Sequence, residues 1–231
     1  MEEDGRVQES LRTTETAADS TEATLPPIDI ILASASPRRK KLLEDAGVSF
    51  TVRASDVDET LEPDLSAQPE EAAKKLAEKK AGAIVQEVLA DEAYSGLAMV
   101  IGADTMVVLD NAIFGKPNNV SEATGMLRKL SGKTHEVITA VSVWCVMAPD
   151  AADVSLGFRT FAEKSLVTFK TLTDERIAEY LAVGESFDKA GAYAIQGKGA
   201  ALVERVEGDL DTVVGLPVGV LLENFPELRE C

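Results

Sequence analysis

The stretch IDIILASASPRRKKLLEDAG, residues 28–47, decides the fold. Its opening, IDIILAS (28–34), is a short apolar run that reads as a strand. Ser36 then offers a helix N-cap, and Pro37 is well tolerated at the first helical position. Leu42, Leu43 and Ala46 follow at helical spacing, and Gly47 closes the helix. A strand feeding a helix in this way predicts an α/β protein.

The same helix carries a puzzle. Arg38 and Arg39 fall in its first turn, where the helix dipole disfavours cations by roughly a few tenths of a kcal/mol each. An anion seated there removes the difficulty. Free backbone N–H groups at a helix start already favour phosphate, and two guanidinium groups add charge-assisted hydrogen bonds. Ser34 and Ser36 supply hydroxyl donors beside them. The other reading is that both arginines simply point into water.

Further strands and helices alternate outward from this unit. FTVRAS (50–55) reads as a second strand. PEEAAKKLAEKKAGAIVQEVLA (69–90) is the strongest helix, with Pro and two Glu in its first turn. Leu76, Ile84, Val88 and Leu89 are its expected core contacts. LAMVIGADTMVVLD (97–110) is a long β-rich run broken by one polar pair, Asp104 and Thr105. SEATGMLRKL (121–130) predicts a helix capped by Ser121. HEVITAVSVWCVM (135–147) and RTFAEKSLVTFK (159–170) predict an antiparallel hairpin joined by the loop APDAADVSLG. TDERIAEYLAV (173–183) predicts a helix begun by Thr173. DKAGAYAIQGKGAALVERV (188–206) reads as a Gly-rich loop entering a strand, and PVGVLLENF (217–225) as a last helix.

The totals restrict the function. The 231 residues are enough for one sizeable domain or two lobes, and 45% are hydrophobic, with mean hydropathy near zero. A net charge of −17 argues against a nucleic-acid or anionic-membrane partner. No apolar run approaches the roughly 18 residues of a membrane span. Cys145 and Cys231 make neither a disulfide framework nor a zinc site, and reduced cytosolic thiols are expected. Residues 1–27 hold seven acids against two arginines and read as a disordered acidic leader, neither secretory signal nor transit peptide.

Several polar residues invite chemistry. Asp104 lies in a segment expected inside the sheet, where an unpaired carboxylate costs several kcal/mol. It must be paired, bound to a metal, or placed where a ligand cleft begins, and a general base or metal ligand suits it. SDVDET (55–60) gathers three acids just past a strand, which suits Mg²⁺ or Mn²⁺ as well as a solvated loop. Lys116 precedes Pro117 in a turn, and Lys80 lies on the long helix. Gln196 stands between an apolar strand end and glycine, able to donate to and accept from a base. His135 is the single histidine and sits at a strand start. With no Gly-x-Ser-x-Gly elbow, a Ser-His-Asp hydrolase is excluded. Phosphate-loop and dinucleotide glycine motifs are absent too.

In order, LASASPRRKKLLEDAG, SDVDET, IGADTMVVLD, GKP, LSGKTHEVIT, DKAGAYAIQGKGAALVERVEG and VVGLP resemble the signature segments of the Maf family of nucleoside triphosphate pyrophosphatases. The likeness spans about residues 28–225. It implies an α/β fold similar to that of inosine triphosphate pyrophosphatases: an elongated twisted mixed sheet flanked by helices, with two lobes and a cleft. It implies hydrolysis of the α–β phosphoanhydride of a nucleoside triphosphate, a divalent metal cofactor (Mg²⁺ or Mn²⁺) and a homodimer. A cytoplasmic location follows from the expected reduced thiols.

On matching positions, Asp104 is implied as the proton acceptor that activates water. Arg38, Thr105 and Gln196 are implied in substrate choice, and Ser34, Arg39, Glu59, Lys80 and Lys116 as other polar cleft residues. Glu59 and Asp104 are the expected metal ligands. GADT with DKAGAYAIQGKGA looks like the branch acting on dTTP and UTP. Thr212 departs from the pattern, since many members have Asn there. The alternatives are a pyrophosphatase for 7-methyl-GTP or deaminated nucleotides, and a nucleotide-sensing protein in cell-division control.

Overall fold

The computed structural model describes residues 27–91, 93–150 and 153–229. The expected acidic leader, up to residue 26, and Cys231 lie outside the described residues. The chain runs through β1 (Ile28–Leu32), α1 (Pro37–Asp45), β2 (Thr51–Val52), α2 (Pro69–Ala90), β3 (Gly96–Leu109), β4 (Ala112–Phe114), α3 (Val120–Leu130), β5 (Thr134–Asp150), β6 (Asp153–Phe169), α4 (Asp174–Leu181), β7 (Val203–Glu207), α5 (Leu210–Val214) and α6 (Val218–Asn224). Seven strands form one mixed sheet in the order β2-β1-β3-β5-β6-β7, with β4 also on β3. β1 is parallel to β2 and β3, and the other pairings are antiparallel.

The register of β3 makes the cleft. β1 pairs with it only from Leu97 to Ile101, and β4 only from Val107 to Leu109. On that edge the stretch 102–106 has no neighbouring strand. It lies just past the carboxyl end of β1, the place where open α/β sheets bind ligands. Asp104 and Thr105 occupy this gap. Successive strand side chains point to opposite faces, so Asp104 projects toward α2 and Thr105 toward α1. Because the edge between them is open, both reach one cleft.

Both faces of β3 are covered, which explains its near-continuous apolar sequence. Ala98 and Val100 pack with Ile84, Val85 and Val88 of α2, and Met106 and Val108 with Ala72, Ala73, Leu76 and Ala77. On the other face Met99, Ile101 and Ala103 meet Leu43 of α1 and Leu221 of α6. Val107 and Leu109 join a separate core with α3 and α4, built on Leu127, Leu130, Ile177 and Tyr180. Val107, Val137 and Tyr193 of this second core line the cleft, together with Ala33 just past β1. Gly102 sets how closely α2 approaches. A Cβ there would stand 2.4 Å from the Ala77 carbonyl oxygen and 2.8 Å from Ala81 N.

Several boundaries differ from the sequence expectation. The second strand shrinks to Thr51–Val52. The α3 helix starts earlier, with Asn119 rather than Ser121 as cap; its side chain accepts from Glu122 N at 2.9 Å. Capping at Asn119 puts Glu122 at the third helical position, where its carboxylate reaches back to Asn118 N. Leu89 is exposed while Leu76, Ile84 and Val88 are buried, because Leu89 lies beside the buried stripe. The hairpin is longer than expected. The strands pair from Thr134↔Thr168 out to Asp150↔Asp153, so most of the expected loop is strand. Its outer half is exposed on β6, although Val154, Leu156 and Phe158 alternate there as in a strand.

Candidate active site

A cleft of about 370 Å³ opens at the gap in β3, and Ser34, Ser36, Arg38, Arg39, Glu59, Lys80, Asp104, Thr105 and Lys116 all line it. Nine of the ten predicted site residues therefore converge. Gln196 does not: it is exposed, one residue past Ile195, the last lining residue of its loop. The lining holds five cationic side chains against three acidic ones, in a chain whose net charge is −17. An anion thus finds locally positive potential.

The two arginines do different work, because neighbours on a helix project about 100° apart. Arg39 turns inward and is held at three points. Nε donates to Gly215 O at 2.7 Å, Nη1 to Ser34 Oγ at 3.2 Å and Nη2 to Thr105 Oγ1 at 3.1 Å. Every one of these partners is a neutral oxygen. Burial lowers the pKa of Arg39, opposed by the nearby charge of Asp104. Of its five N–H groups two remain for a ligand. Arg38 is less engaged: among the described residues its ion-pair partner is Asp188, with Nη1 3.9 Å from Oδ2.

The serines are acceptors in this arrangement. Ser36 Oγ caps α1 by accepting from Arg39 N at 3.4 Å, and Ser34 Oγ accepts from Ser36 N at 3.2 Å. These bonds leave both hydroxyl protons unused.

On the opposite face Lys80 joins two carboxylates. Nζ lies 2.6 Å from Asp104 Oδ1 and 2.7 Å from Glu59 Oε1. Lys116 Nζ takes the other Glu59 oxygen at 2.6 Å. Burial pushes the Glu59 carboxyl up, but hydrogen bonds from Lys116 and Lys80 outweigh it and hold it at about 2. Lys80 and Asp104 are both buried, at 8% exposure each, so each satisfies the other in a poorly solvated place. Of the acids in SDVDET only Glu59 lines the cleft. Asp58 instead accepts from Thr60 N within its own loop. Among the described residues no cluster of three or more His, Cys, Asp or Glu side chains is arranged to hold a metal ion.

The sequence reading missed Asp188, Lys189 and Tyr193, and the apolar wall of Val107, Val137, Val213 and Val214. The signal for the first three lay in DKAGAYAIQG, where a backbone with positive φ at Gly191 and Ala192 folds the loop back on the cleft. His135 stays outside the chemistry. It is 2% exposed, its Nε2 lies 2.8 Å from the Tyr193 hydroxyl, and burial pushes its pKa down to about 4. Thr212 points away from the cleft: its hydroxyl donates to Asp209 Oδ2 at 3.0 Å.

Fold and site together define an α/β protein with a polar cleft lined by more cationic than acidic side chains. The chain belongs to the Maf-like protein family, whose sequence profile matches residues 29–228. It is similar to a dTTP/UTP pyrophosphatase of Bacillus velezensis, 45% identical over 87% of this chain and 96% of that one. It is equally similar to one of Caldicellulosiruptor saccharolyticus, at 45% over 82% and 89%. One of a Geobacillus species is 46% identical over 82% and 92%. A solved structure of a nucleoside-triphosphatase / dITP/XTP pyrophosphatase from Mycobacterium abscessus aligns over 87% of this chain and 96% of that one, at 12% identity. Its TM-score of 0.39 is a level at which nothing about this chain follows from it. No helix among the described residues is long and apolar enough to cross a membrane.

Proposed function

We propose that this chain hydrolyses the α–β phosphoanhydride of nucleoside triphosphates, dTTP and UTP foremost, to the monophosphate and pyrophosphate. One observation carries the phosphate half of this reading. Arg39 is held entirely by neutral oxygens, with no carboxylate within ion-pair distance among the described residues, so a cation is left for an anionic ligand. Arg38, Lys116 and the open start of α1 stand around it. The relatives' substrates favour a pyrimidine triphosphate as that ligand.

Asp104 is the carboxylate placed to orient a water and accept its proton. Lys80 holds one of its oxygens, which leaves the other to face the cleft. Positioning and charge neutralisation supply most of what phosphoryl chemistry needs. Mg²⁺ or Mn²⁺ fits the donor set. Such an ion takes one or two carboxylates and completes its shell with water and substrate phosphates, and Asp104 and Glu59 already converge on one ammonium group. When bound, the ion would neutralise phosphate charge.

Thr105 serves the substrate indirectly, because its hydroxyl is engaged by Arg39 and Thr139. A homodimer belongs to the proposal on the family resemblance, and a cytoplasmic location on the expectation of reduced thiols. The test is a triphosphate panel with Mg²⁺ or Mn²⁺. Fastest turnover of dTTP and UTP is expected. Preference for 7-methyl-GTP or dITP would move the protein to another branch, and binding without turnover would make it a nucleotide sensor.

A further inference from the structure

We infer that Thr139, a residue outside the cleft lining, is a positioning residue for phosphate binding that acts through Thr105 on Arg39. The inference rests on the reading of Arg39 as a phosphate ligand. Thr139 is fully buried on β5, directly opposite Thr105 of β3. Its Oγ1 lies 2.6 Å from the Thr212 carbonyl oxygen and 3.0 Å from Thr105 Oγ1.

Proton counting fixes the direction of these bonds. A carbonyl can only accept, and two unprotonated oxygens at 2.6 Å repel, so the single Thr139 proton goes to Thr212 O. Thr139 can then only accept from Thr105, which spends its own single proton. The Thr105 oxygen is left to Arg39 as a pure acceptor, and Arg39 Nη2 donates to it at 3.1 Å. The order is Arg39 to Thr105 to Thr139 to Thr212 O.

The network also closes on itself. Arg39 Nε donates to Gly215 O, three residues past Thr212 on the same short segment. Gly215 has φ of +124°, and a Cβ there would meet Thr105 Oγ1 at 3.2 Å. Strands β3 and β5 and the α5 segment thus fix one guanidinium plane. Without the Thr139 hydroxyl, Thr105 keeps its volume but is free to turn its proton elsewhere, and Arg39 loses an oriented acceptor.

The test uses the full chain with dTTP and Mg²⁺, and inorganic pyrophosphate as a second ligand. Thr139→Val should raise KM and the pyrophosphate dissociation constant by a common factor of about five, with kcat changed less, as for loss of a neutral hydrogen bond that orients the acceptor of Arg39. Thr139→Ser should lie within about two-fold of the parent, and Thr139→Cys, a weaker donor of similar volume, between the two. If Thr139→Val does not fold, the Cys variant carries the comparison. In an Arg39→Lys background the step from Thr139 to Val should add less than about two-fold, since coupled residues are non-additive. An unchanged KM and pyrophosphate affinity, or a full additional effect in the Arg39→Lys background, overturns the inference. Failure of the parent to bind pyrophosphate overturns the phosphate reading itself. Parent binding with insensitive Thr139 variants overturns only the relay.

Discussion

Lys80 Nζ stands 2.6 Å from Asp104 Oδ1, so the ammonium of the long helix and the carboxylate of the central strand are joined inside the protein. Each is costly alone and tolerable together. Lys80→Met should destabilise the fold by about 3 kcal/mol, as breaking a buried pair does. The double variant Lys80→Met/Asp104→Leu should be more stable than either single variant yet inactive. Urea unfolding of the four proteins checks this; a double variant less stable than both singles would show that the pair is not the reason for the cost.

Asp104→Asn keeps the shape of the side chain and removes the proton acceptor. Turnover should fall by about 10²–10⁴-fold, the usual contribution of a positioned base, and the melting temperature should fall too, though less than in Lys80→Met, since Lys80 keeps Glu59 as its other carboxylate. A folded variant with near-normal kcat would remove Asp104 from its role.

The two arginines should separate in their effects. Among the described residues Arg38 has one long ion-pair contact, so Arg38→Ala should raise KM about ten-fold and leave stability nearly unchanged. Arg39→Ala should raise KM and also cost about 1–3 kcal/mol of stability, since Gly215, Ser34 and Thr105 lose their donor. Steady-state kinetics paired with thermal melts distinguishes the two; equal melting losses would contradict the assignment.

Gly102 lets α2 lie against β3, two residues before Asp104, which Lys80 reaches. Gly102→Ala places a methyl carbon 2.4 Å from the Ala77 carbonyl oxygen. A loss of about 3 kcal/mol is expected, since backbone on both sides must move. Activity should fall with it, because Lys80 rides on the displaced turn.

His135 makes stability depend on acidity. Its pKa is pushed down to about 4 in the fold, against 6.5 for the free side chain. Between these values the unfolded chain binds a proton that the folded chain refuses. Stability is therefore complete above pH 6.5 and falls as pH drops toward 4, by about 3 kcal/mol in all. His135→Gln should flatten the slope of unfolding free energy against pH in this window; an unaltered slope would place its origin elsewhere.

Much of this was legible in the sequence. Ser36-Pro37 marked the first helix, Pro69 and its two glutamates marked the second, and Asp104 stood out as a charge in an apolar run. What stayed hidden depended on long-range pairing. Nothing local tells Arg38 from Arg39; their difference comes from Gly215 and Thr105, 176 and 66 residues further along the chain. The family resemblance placed Lys80 in the cleft, but read alone it is one lysine among several on its helix, and its burial against Asp104 shows only in the fold. The sequence reading took Glu59 of SDVDET together with Asp104 as the metal ligands, and both line the cleft, while Asp56 and Asp58 do not. Gln196 is the expected residue that the cleft lining leaves out, while its neighbours Ala194 and Ile195 belong to it.

The most direct measurement is identification of the products from dTTP and Mg²⁺ by phosphorus NMR, on the parent protein and Asp104→Asn side by side. A single cleft acting on the α–β anhydride predicts dTMP and pyrophosphate in equal amounts from the parent, and almost none from the variant. Formation of dTDP and orthophosphate, or equal rates from both proteins, would contradict it.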